Sequence, residues 1–198
     1  NYAAVGISSG NSTTYTNIKM HGGIIKGSLY GGGNNNGSGD STTKSTINIT
    51  TTGGEIRGSL YGGANALGTV YGDVNLTING GTFLDSIYGG GRGGYVNSTN
   101  YGTYIRDKIN VTIGTTDTMP IVTNNIYGGS AYGSVNTLSQ SPTLSTNGIN
   151  MTINNVQIAG SIFGGSKGDT GLNPYVAGNI LIDVNGGIIP NLFGGNDI

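Results

Sequence analysis

Apolar and polar residues alternate in six short runs spread along the chain. In the third run Val74, Leu76 and Ile78 alternate with Asn75 and Thr77. A period of two is typical of a β-strand with one buried face. We therefore predict six strands of this kind, at residues 16–20 (TNIKM), 47–51 (INITT), 74–78 (VNLTI), 109–113 (INVTI), 149–153 (INMTI) and 180–184 (ILIDV).

Most of these runs lead through a glycine-rich corner into a second strand. Apolar anchors four residues apart mark that strand, as in the pair Ile25 and Leu29. The strand closes with an aliphatic–aromatic–Gly-Gly phrase, written GSLYGG at both 27–32 and 58–63. Six copies of this phrase, recurring at steps of 27 to 39 residues, indicate a repeat architecture. Their aromatic residues are Tyr30, Tyr61, Tyr88, Tyr127, Phe163 and Phe193.

The repeat predicts an all-β fold, and a parallel β-helix (β-solenoid) of about six coils fits it best. A propeller or an antiparallel β-prism is the alternative, since Asn79-Gly80 between apolar runs is a hairpin signal. A propeller blade needs four strands in about 40–45 residues, and the 27-residue step between Tyr61 and Tyr88 is too short for that. We expect one domain over 1–198, cut from a longer repeat chain, with coils at roughly 1–34, 45–67, 73–95, 108–134, 148–170 and 178–198.

In a solenoid, equivalent residues stack into ladders about 4.8 Å apart. Asparagine amides can satisfy one another along such a ladder. The same Asn-x-Thr triplets match the N-glycosylation pattern and loosely resemble an ice-binding face. Glycans one strand apart would crowd each other, however, and Lys19 and Asp183 interrupt the threonine position. The two structural ladders predicted are Asn48, Asn75, Asn110 and Asn150, and Thr50, Thr77, Thr112 and Thr152.

The six aromatic residues predict a third ladder. Exposed tyrosine rings could form a platform for sugar rings. The hydroxyl is lost at Phe163 and Phe193, which favours packing of ring on ring at a corner of the coil.

Composition narrows the classes of function. Glycine supplies 40 of 198 residues and only 9% are charged, a balance that indicates disorder unless a periodic pattern is present. The net charge is −1 with scattered Lys and Arg, which argues against nucleic acid. No run approaches 18 apolar residues, so we expect no membrane insertion. Cysteine is absent, which excludes disulfides, thiolate nucleophiles and cysteine zinc sites.

Neither an enzyme nor a cofactor or metal site is expected. The nine acidic residues fall at unlike positions of the repeat, so few carboxylates can converge. Asp73 and Asp107, each just before a first strand, come nearest to a pair, which Lys108 can neutralise. A turn-capping role fits them better than catalysis. His21 is the only histidine.

The loops that follow the glycine pairs vary most in length. The segments 92–108 and 130–148 combine tyrosine with Asn, Ser and Gly, which is the composition of adaptable recognition loops. Plain connecting loops are the competing interpretation. The candidate ligand-binding residues are Tyr95, Tyr101, Tyr104 and Tyr132.

Units such as VNLTINGGTFLDSIYGGG at 74–91 resemble the Gly-rich β-strand repeats of large bacterial cell-surface adhesins of Gram-positive type, with looser similarity to autotransporter passengers. The resemblance covers residues 15–198. It implies a non-enzymatic adhesin or stalk module, secreted or displayed on the cell wall, that contacts host or environmental glycan or protein through loops on one side. The alternative is a purely structural spacer or a subunit that forms fibres end to end. The implied partners are flanking repeats or end-to-end copies, and a carbohydrate or host protein.

Overall fold

A computed structural model describes residues 3–4, 15–34, 44–66, 68–96, 99–101, 103–136 and 148–198. These residues form short strands joined by turns. No helix occurs in these ranges, so none of them supplies an apolar helix of membrane-spanning length.

Two long parallel sheets and one short one make up the fold. The main sheet contains nine strands: β2 (Tyr15–Met20), β3 (Ile24–Ile25), β5 (Thr46–Ile56), β8 (Val74–Phe83), β13 (Ile109–Ile113), β14 (Ile121–Val122), β17 (Ile149–Ile153), β18 (Gln157–Ile158) and β20 (Ile180–Val184). The ring sheet contains seven: β1 (Ala3–Ala4), β4 (Leu29–Tyr30), β6 (Leu60–Tyr61), β9 (Ile87–Tyr88), β15 (Ile126–Tyr127), β19 (Ser161–Phe163) and β21 (Asn191–Phe193).

A third parallel sheet lies in the variable part of the repeat. Its strands are β7 (Gly68–Val70), β12 (Thr103–Ile105) and β16 (Ser134–Val135). An antiparallel hairpin of β10 (Gly94–Val96) and β11 (Thr99–Tyr101) extends from the same part of its coil.

The strands pair with their own copies one coil along the chain, which confirms the predicted β-solenoid. Asn110 aligns with Asn75 on one side and Asn150 on the other. The molecule makes about five turns, where the sequence predicted about six coils, because the six copies of the repeated phrase are separated by five steps. Because the ladders run parallel, the propeller and the antiparallel prism are wrong. The Asn79-Gly80 sequence lies inside β8 and turns a corner of the coil, with Gly81 at a φ of 115°.

The inward positions of the strands form one aliphatic core along the solenoid axis. Val74, Leu76 and Ile78, which the alternation placed on one face, are all buried in it. The anchors of the second and third strands, such as Ile56 and Leu60, join the same cluster. The inward-facing apolar side chains of the strands therefore form a continuous aliphatic core inside the coil.

Length variation is concentrated after the ring sheet, as expected, with one exception. Residues 114–120 form an extra turn at the corner between β13 and β14. In the preceding coil the same corner, between Ile78 and Thr82, is only three residues long. The Thr115 hydroxyl accepts hydrogen bonds from the backbone N–H groups of Asp117 and Thr118 within this turn. The insertions therefore do not all lie in one sector.

The glycines after each ring permit adjacent coils to approach closely. A Cβ on Gly89 would overlap the carbonyl oxygen of Gly128 in the next coil, and one on Gly164 would lie 2.7 Å from the Gly194 oxygen. Neither distance is compatible with a side chain, so the phrase requires glycine wherever another coil follows.

Candidate functional site

The six rings of the repeated phrase form a single stack. Ring centroids are 4.8 to 5.1 Å apart and neighbouring planes differ by 2 to 13°. Alternate strand residues point to opposite faces, so Leu29 enters the aliphatic core while Tyr30 enters a separate aromatic cluster. Tyr30, Tyr61, Tyr88 and Tyr127 are buried in that cluster. Because each inner ring face covers another, these faces are not available to a sugar.

Burial of the stack changes the acidity of its hydroxyl groups. Desolvation raises the pKa of Tyr61 to about 12 and raises that of Tyr88 further. The pKa of Tyr127 is also raised, first by desolvation and then by its bond to Asp197. The Tyr127 hydroxyl donates to Asp197 Oδ2 at 2.7 Å and accepts from Asn125 Nδ2 at 3.0 Å. The described hydroxyls are neutral packing groups at ordinary pH.

The asparagine ladder is hydrogen-bonded along its length. Asn75 Nδ2 donates to Asn48 Oδ1 at 2.9 Å, Asn110 to Asn75 at 2.8 Å, and Asn150 to Asn110 at 3.0 Å. Asn75 and Asn110 thus each donate to the preceding coil and accept from the following one. The amide nitrogens are engaged in the fold, which favours the structural interpretation of the Asn-x-Thr triplets.

The threonine ladder lies beside it on the outer face of the main sheet. Thr50, Thr77, Thr112 and Thr152 are in register and partly buried. Lys19 aligns with Thr50 at one end of this row and Asp183 with Thr152 at the other. The two interruptions seen in the sequence are therefore the two ends of the ladder, with opposite charges.

The structure separates the four candidate loop tyrosines into two groups. Tyr104 lies in β12, between Thr69 and Ser134, and is partly buried. Tyr132 packs against the aromatic cluster, and the Lys167 ammonium lies 5.7 Å from its ring centroid. Tyr95 and Tyr101 belong to the hairpin, where only the backbone is described.

Tyr132 also has an unusual backbone conformation, which the sequence did not reveal. Its φ is 56°, and Ala66 at the matching corner has a φ of 63°. Gly93 and Gly168 hold the equivalent position in two other coils, because the residues just before them, Arg92 and Lys167, both form β-bridges with Ala131. A left-handed conformation costs a non-glycine residue on the order of 1 kcal/mol. Gly93 and Gly168 do not adopt it, so among these four residues only Ala66 and Tyr132 have a positive φ.

Among the acidic residues that the structure describes, no group of three converges. The Lys44 ammonium contacts the Asp107 carboxylate. Asp73 Oδ1 accepts from the Lys108 backbone N–H of the next coil at 3.1 Å, so this bond links two coils and does not cap the turn of Asp73 itself. Within the described ranges no three residues of His, Cys, Asp or Glu type come together as metal ligands would.

The last coil, residues 178–198, carries several exposed apolar side chains. Leu192 and Phe193 are 46% and 48% exposed, whereas Leu29 and Tyr30 at the same positions of the first coil are 2% and 1% exposed. The two ends of the solenoid are therefore unequal. Further exposed apolar side chains of the last coil are Leu181, Val184, Ile188 and Ile198.

Comparison with known proteins gives no match: no family model fits the chain, and neither a curated protein nor a solved structure is similar to it.

Proposed function

We propose that this chain is a non-enzymatic module of an extracellular protein, secreted or displayed on a cell wall, that serves as an adhesin or stalk. The observation that carries the proposal is that the repeated polar and aromatic residues contact their own copies in neighbouring coils. Asn75 and Asn110 bond to their copies, and the ring stack is closed except at its last member. These rows build a rigid rod, so recognition is left to the loops between them.

The loop sector supports contact with a glycan or a protein surface. It carries the β10–β11 hairpin and the partly buried pair of Tyr132 and Lys167. A ring held beside an ammonium suits the polar and apolar faces of a sugar. The strained φ of Tyr132 favours a role there, because such conformations cluster at binding sites.

A glycan and host-protein array probed with the full chain tests this proposal. We expect binding that is lost when residues 94–101 are replaced by a short glycine linker and weakened by Tyr132→Gly. The matched control shortens the turn at 115–118, on the other side of the coil, and should bind normally. An intact chain that binds nothing on the array, or a hairpin replacement that binds as well as the parent, would count against the adhesin.

The second candidate is a structural one, a spacer or a subunit that assembles end to end. The exposed Leu192 and Phe193 of the last coil favour it, because a further coil, from a flanking repeat or a second copy, would cover them. Unpaired strand edges beside apolar surface are sites where further chain can add. Sedimentation of the purified chain over a range of concentrations separates the two candidates, since a fibre-forming subunit must grow with concentration and an isolated adhesin module must not.

A further inference from the structure

We propose that the loop sector carries a binding site for a neutral sugar ring. The site lies over Ala131, and its side chains are those of Tyr132, Lys167 and Asp197. The inference rests on the proposed adhesin function and names its site and the chemical class of its ligand, a pyranose with two adjacent hydroxyl groups. Three observations carry it: one small residue in a row of larger ones, two opposite charges that lie side by side without pairing, and a tyrosine in a conformation that its coil does not impose.

The site belongs to a row of residues that runs along the ring stack. Bridges between neighbouring coils build this row from Arg92, Ala131, Lys167 and Asp197 in turn. Residues in register point to the same face, and the Ala131 side chain packs on the aromatic cluster. Alanine is the smallest side chain of these four, so the longer side chains of the following coils have room to reach across it.

Lys167 and Asp197 are neighbours in this row, one strand spacing of about 4.8 Å apart. Opposite charges placed in this way attract each other and ordinarily pair. Although both side chains belong to the described part of the chain, they form no ion pair. The Asp197 carboxylate instead accepts a hydrogen bond from the Tyr127 hydroxyl at 2.7 Å, and the Lys167 ammonium lies 5.7 Å from the Tyr132 ring centroid. Both side chains therefore reach back to the coil of Ala131 and remain separate.

This arrangement leaves hydrogen-bonding capacity for a ligand. Asp197 Oδ2 is the oxygen that accepts from Tyr127, while Oδ1 accepts no hydrogen bond from the described residues. The Lys167 ammonium has three donors, and its described contact is the Tyr132 ring. Two adjacent sugar hydroxyls match this set, because one donates to the carboxylate while the next accepts from the ammonium. The apolar face of the sugar would then pack against the Tyr132 ring.

The charges of the site select a neutral ligand. One carboxylate and one ammonium cancel, so neither an acidic nor a basic sugar gains net attraction there. Arg92, the next cation of the row, is turned away from the site, because its Nη1 donates to Asn65 Oδ1 in the preceding coil at 3.4 Å. A neutral pyranose is therefore the class of ligand that the site fits.

The backbone of Tyr132 supports a role for its ring. Its φ of 56° lies in the left-handed region, whereas Gly93 and Gly168, at the equivalent position, have no positive φ. The corner of the coil therefore does not impose this conformation. A bulky residue stays in the left-handed region only where its surroundings hold it there, and the ring of Tyr132 is held between the aromatic cluster and Lys167. The strain thus accompanies the placement of this ring at the site.

Binding of immobilised oligosaccharides to the full chain tests the site. The probes end in glucose, galactose or mannose, and each is paired with its uronic acid counterpart. We expect the parent to bind at least one neutral probe, and Lys167→Ala and Asp197→Ala each to weaken that binding by about 10-fold or more, because each removes a hydrogen bond to a charged group. Lys26→Ala and Asp183→Ala remove exposed charges outside the loop sector and, as matched controls, should bind as the parent does.

A change of ligand preference separates contact with the sugar from a structural role. Asp197→Asn keeps the size of the side chain and an oxygen for the Tyr127 hydroxyl, but it leaves the Lys167 charge uncompensated. The affinity for a probe ending in glucuronic acid, relative to one ending in glucose, should therefore rise about 5-fold, which a loosened fold would not produce.

The outcomes separate the site from the adhesin function. Unchanged preference in Asp197→Asn, or parent-like binding by both alanine variants, overturns the site and leaves the adhesin function standing. A parent chain that binds host proteins but no sugar has the same consequence. A parent chain that binds neither overturns both.

Discussion

At the scale of single residues, the fold depends on polar side chains that bond to copies of themselves. Asn110 is the clearest case, since it donates to Asn75 and accepts from Asn150. Removal of its side chain leaves the Asn75 oxygen without its donor and the Asn150 amide nitrogen without its acceptor, both in a partly buried row. Groups left in this state cost about 1–3 kcal/mol.

Asn110→Ala should therefore lower the free energy of unfolding by about 1–3 kcal/mol, measured by urea denaturation. Asn185→Ala is the matched control, because Asn185 donates to Asn154 at 3.1 Å at the exposed end of the solenoid. We expect a loss below about 1 kcal/mol for that variant. Equal losses in the free energy of unfolding at the two positions would show that the central asparagine ladder stabilises the fold no more than an exposed hydrogen bond does.

The buried tyrosines make stability depend on alkaline pH. Tyr61 ionises near its ordinary pKa of about 10 in the unfolded chain and at about 12 in the folded one, because its ring is desolvated. Between these values the unfolded state has released the proton and the folded state has not. The stabilisation from the neutral hydroxyl is therefore full below pH 10 and is lost as the pH rises toward 12.

Guanidinium unfolding at pH 8 and pH 11.5 measures this loss. The parent chain should be less stable at the higher pH, and Tyr61→Phe should reduce the difference by up to about 2 kcal/mol. Phe163 and Phe193 already occupy the equivalent position, so the variant should fold normally. Tyr15→Phe, at an exposed ring, controls for the loss of a hydroxyl outside the stack. An unchanged pH difference in Tyr61→Phe would contradict the prediction.

At the scale of elements, the corner after each ring is set by the approach of the next coil. Gly89 and Gly194 hold the same place in the phrase, but only Gly89 has a coil above it. Gly89→Ala should destabilise the chain by several kcal/mol, as overpacking against a rigid backbone does, and Gly194→Ala should leave the dilute chain within about 0.5 kcal/mol of the parent. Thermal unfolding of the two variants side by side checks this, and similar losses would refute the steric account.

The strands and ladders were predictable because each follows from a local pattern. The alternation in 74–78 places Val74 and Leu76 inward, and the repeated phrase sets the register of Tyr61 on Tyr88. Burial of the rings was less predictable, because the alternation within a strand does not show which residues pack over its outward-facing side chains. One of the residues that cover the rings is Ala131, from the segment after the glycine pair. The contact of Lys44 with Asp107 depends on loop geometry over 63 residues, which no local pattern carries.

At the scale of the whole molecule, the solenoid behaves as a one-dimensional stack. Backbone ladders join each coil only to its neighbours, although the Tyr127–Asp197 and Lys44–Asp107 contacts span two coils, so stability is nearly a sum of coil and junction terms. The central coils have two junctions and the last coil has one. Leu60 and Ile87 are fully buried between neighbouring coils, while Leu192, at the same position of the last coil, remains open. We therefore expect local stability to fall toward the last coil.

Native-state hydrogen exchange followed by mass spectrometry measures that gradient. Amides of β6 and β9 should exchange only in global unfolding, whereas those of β20 and β21 should exchange through local opening at a lower free energy. The first coil, whose ring position is covered by β1 pairing, should be protected more than the last. If copies assemble end to end through the last coil, raising the protein concentration should slow exchange in β20 and β21 and leave β6 and β9 unchanged, because the new contact covers only that coil. Uniform protection along the chain would mean that the solenoid unfolds as one cooperative unit, and the open end would then be no weaker than the middle.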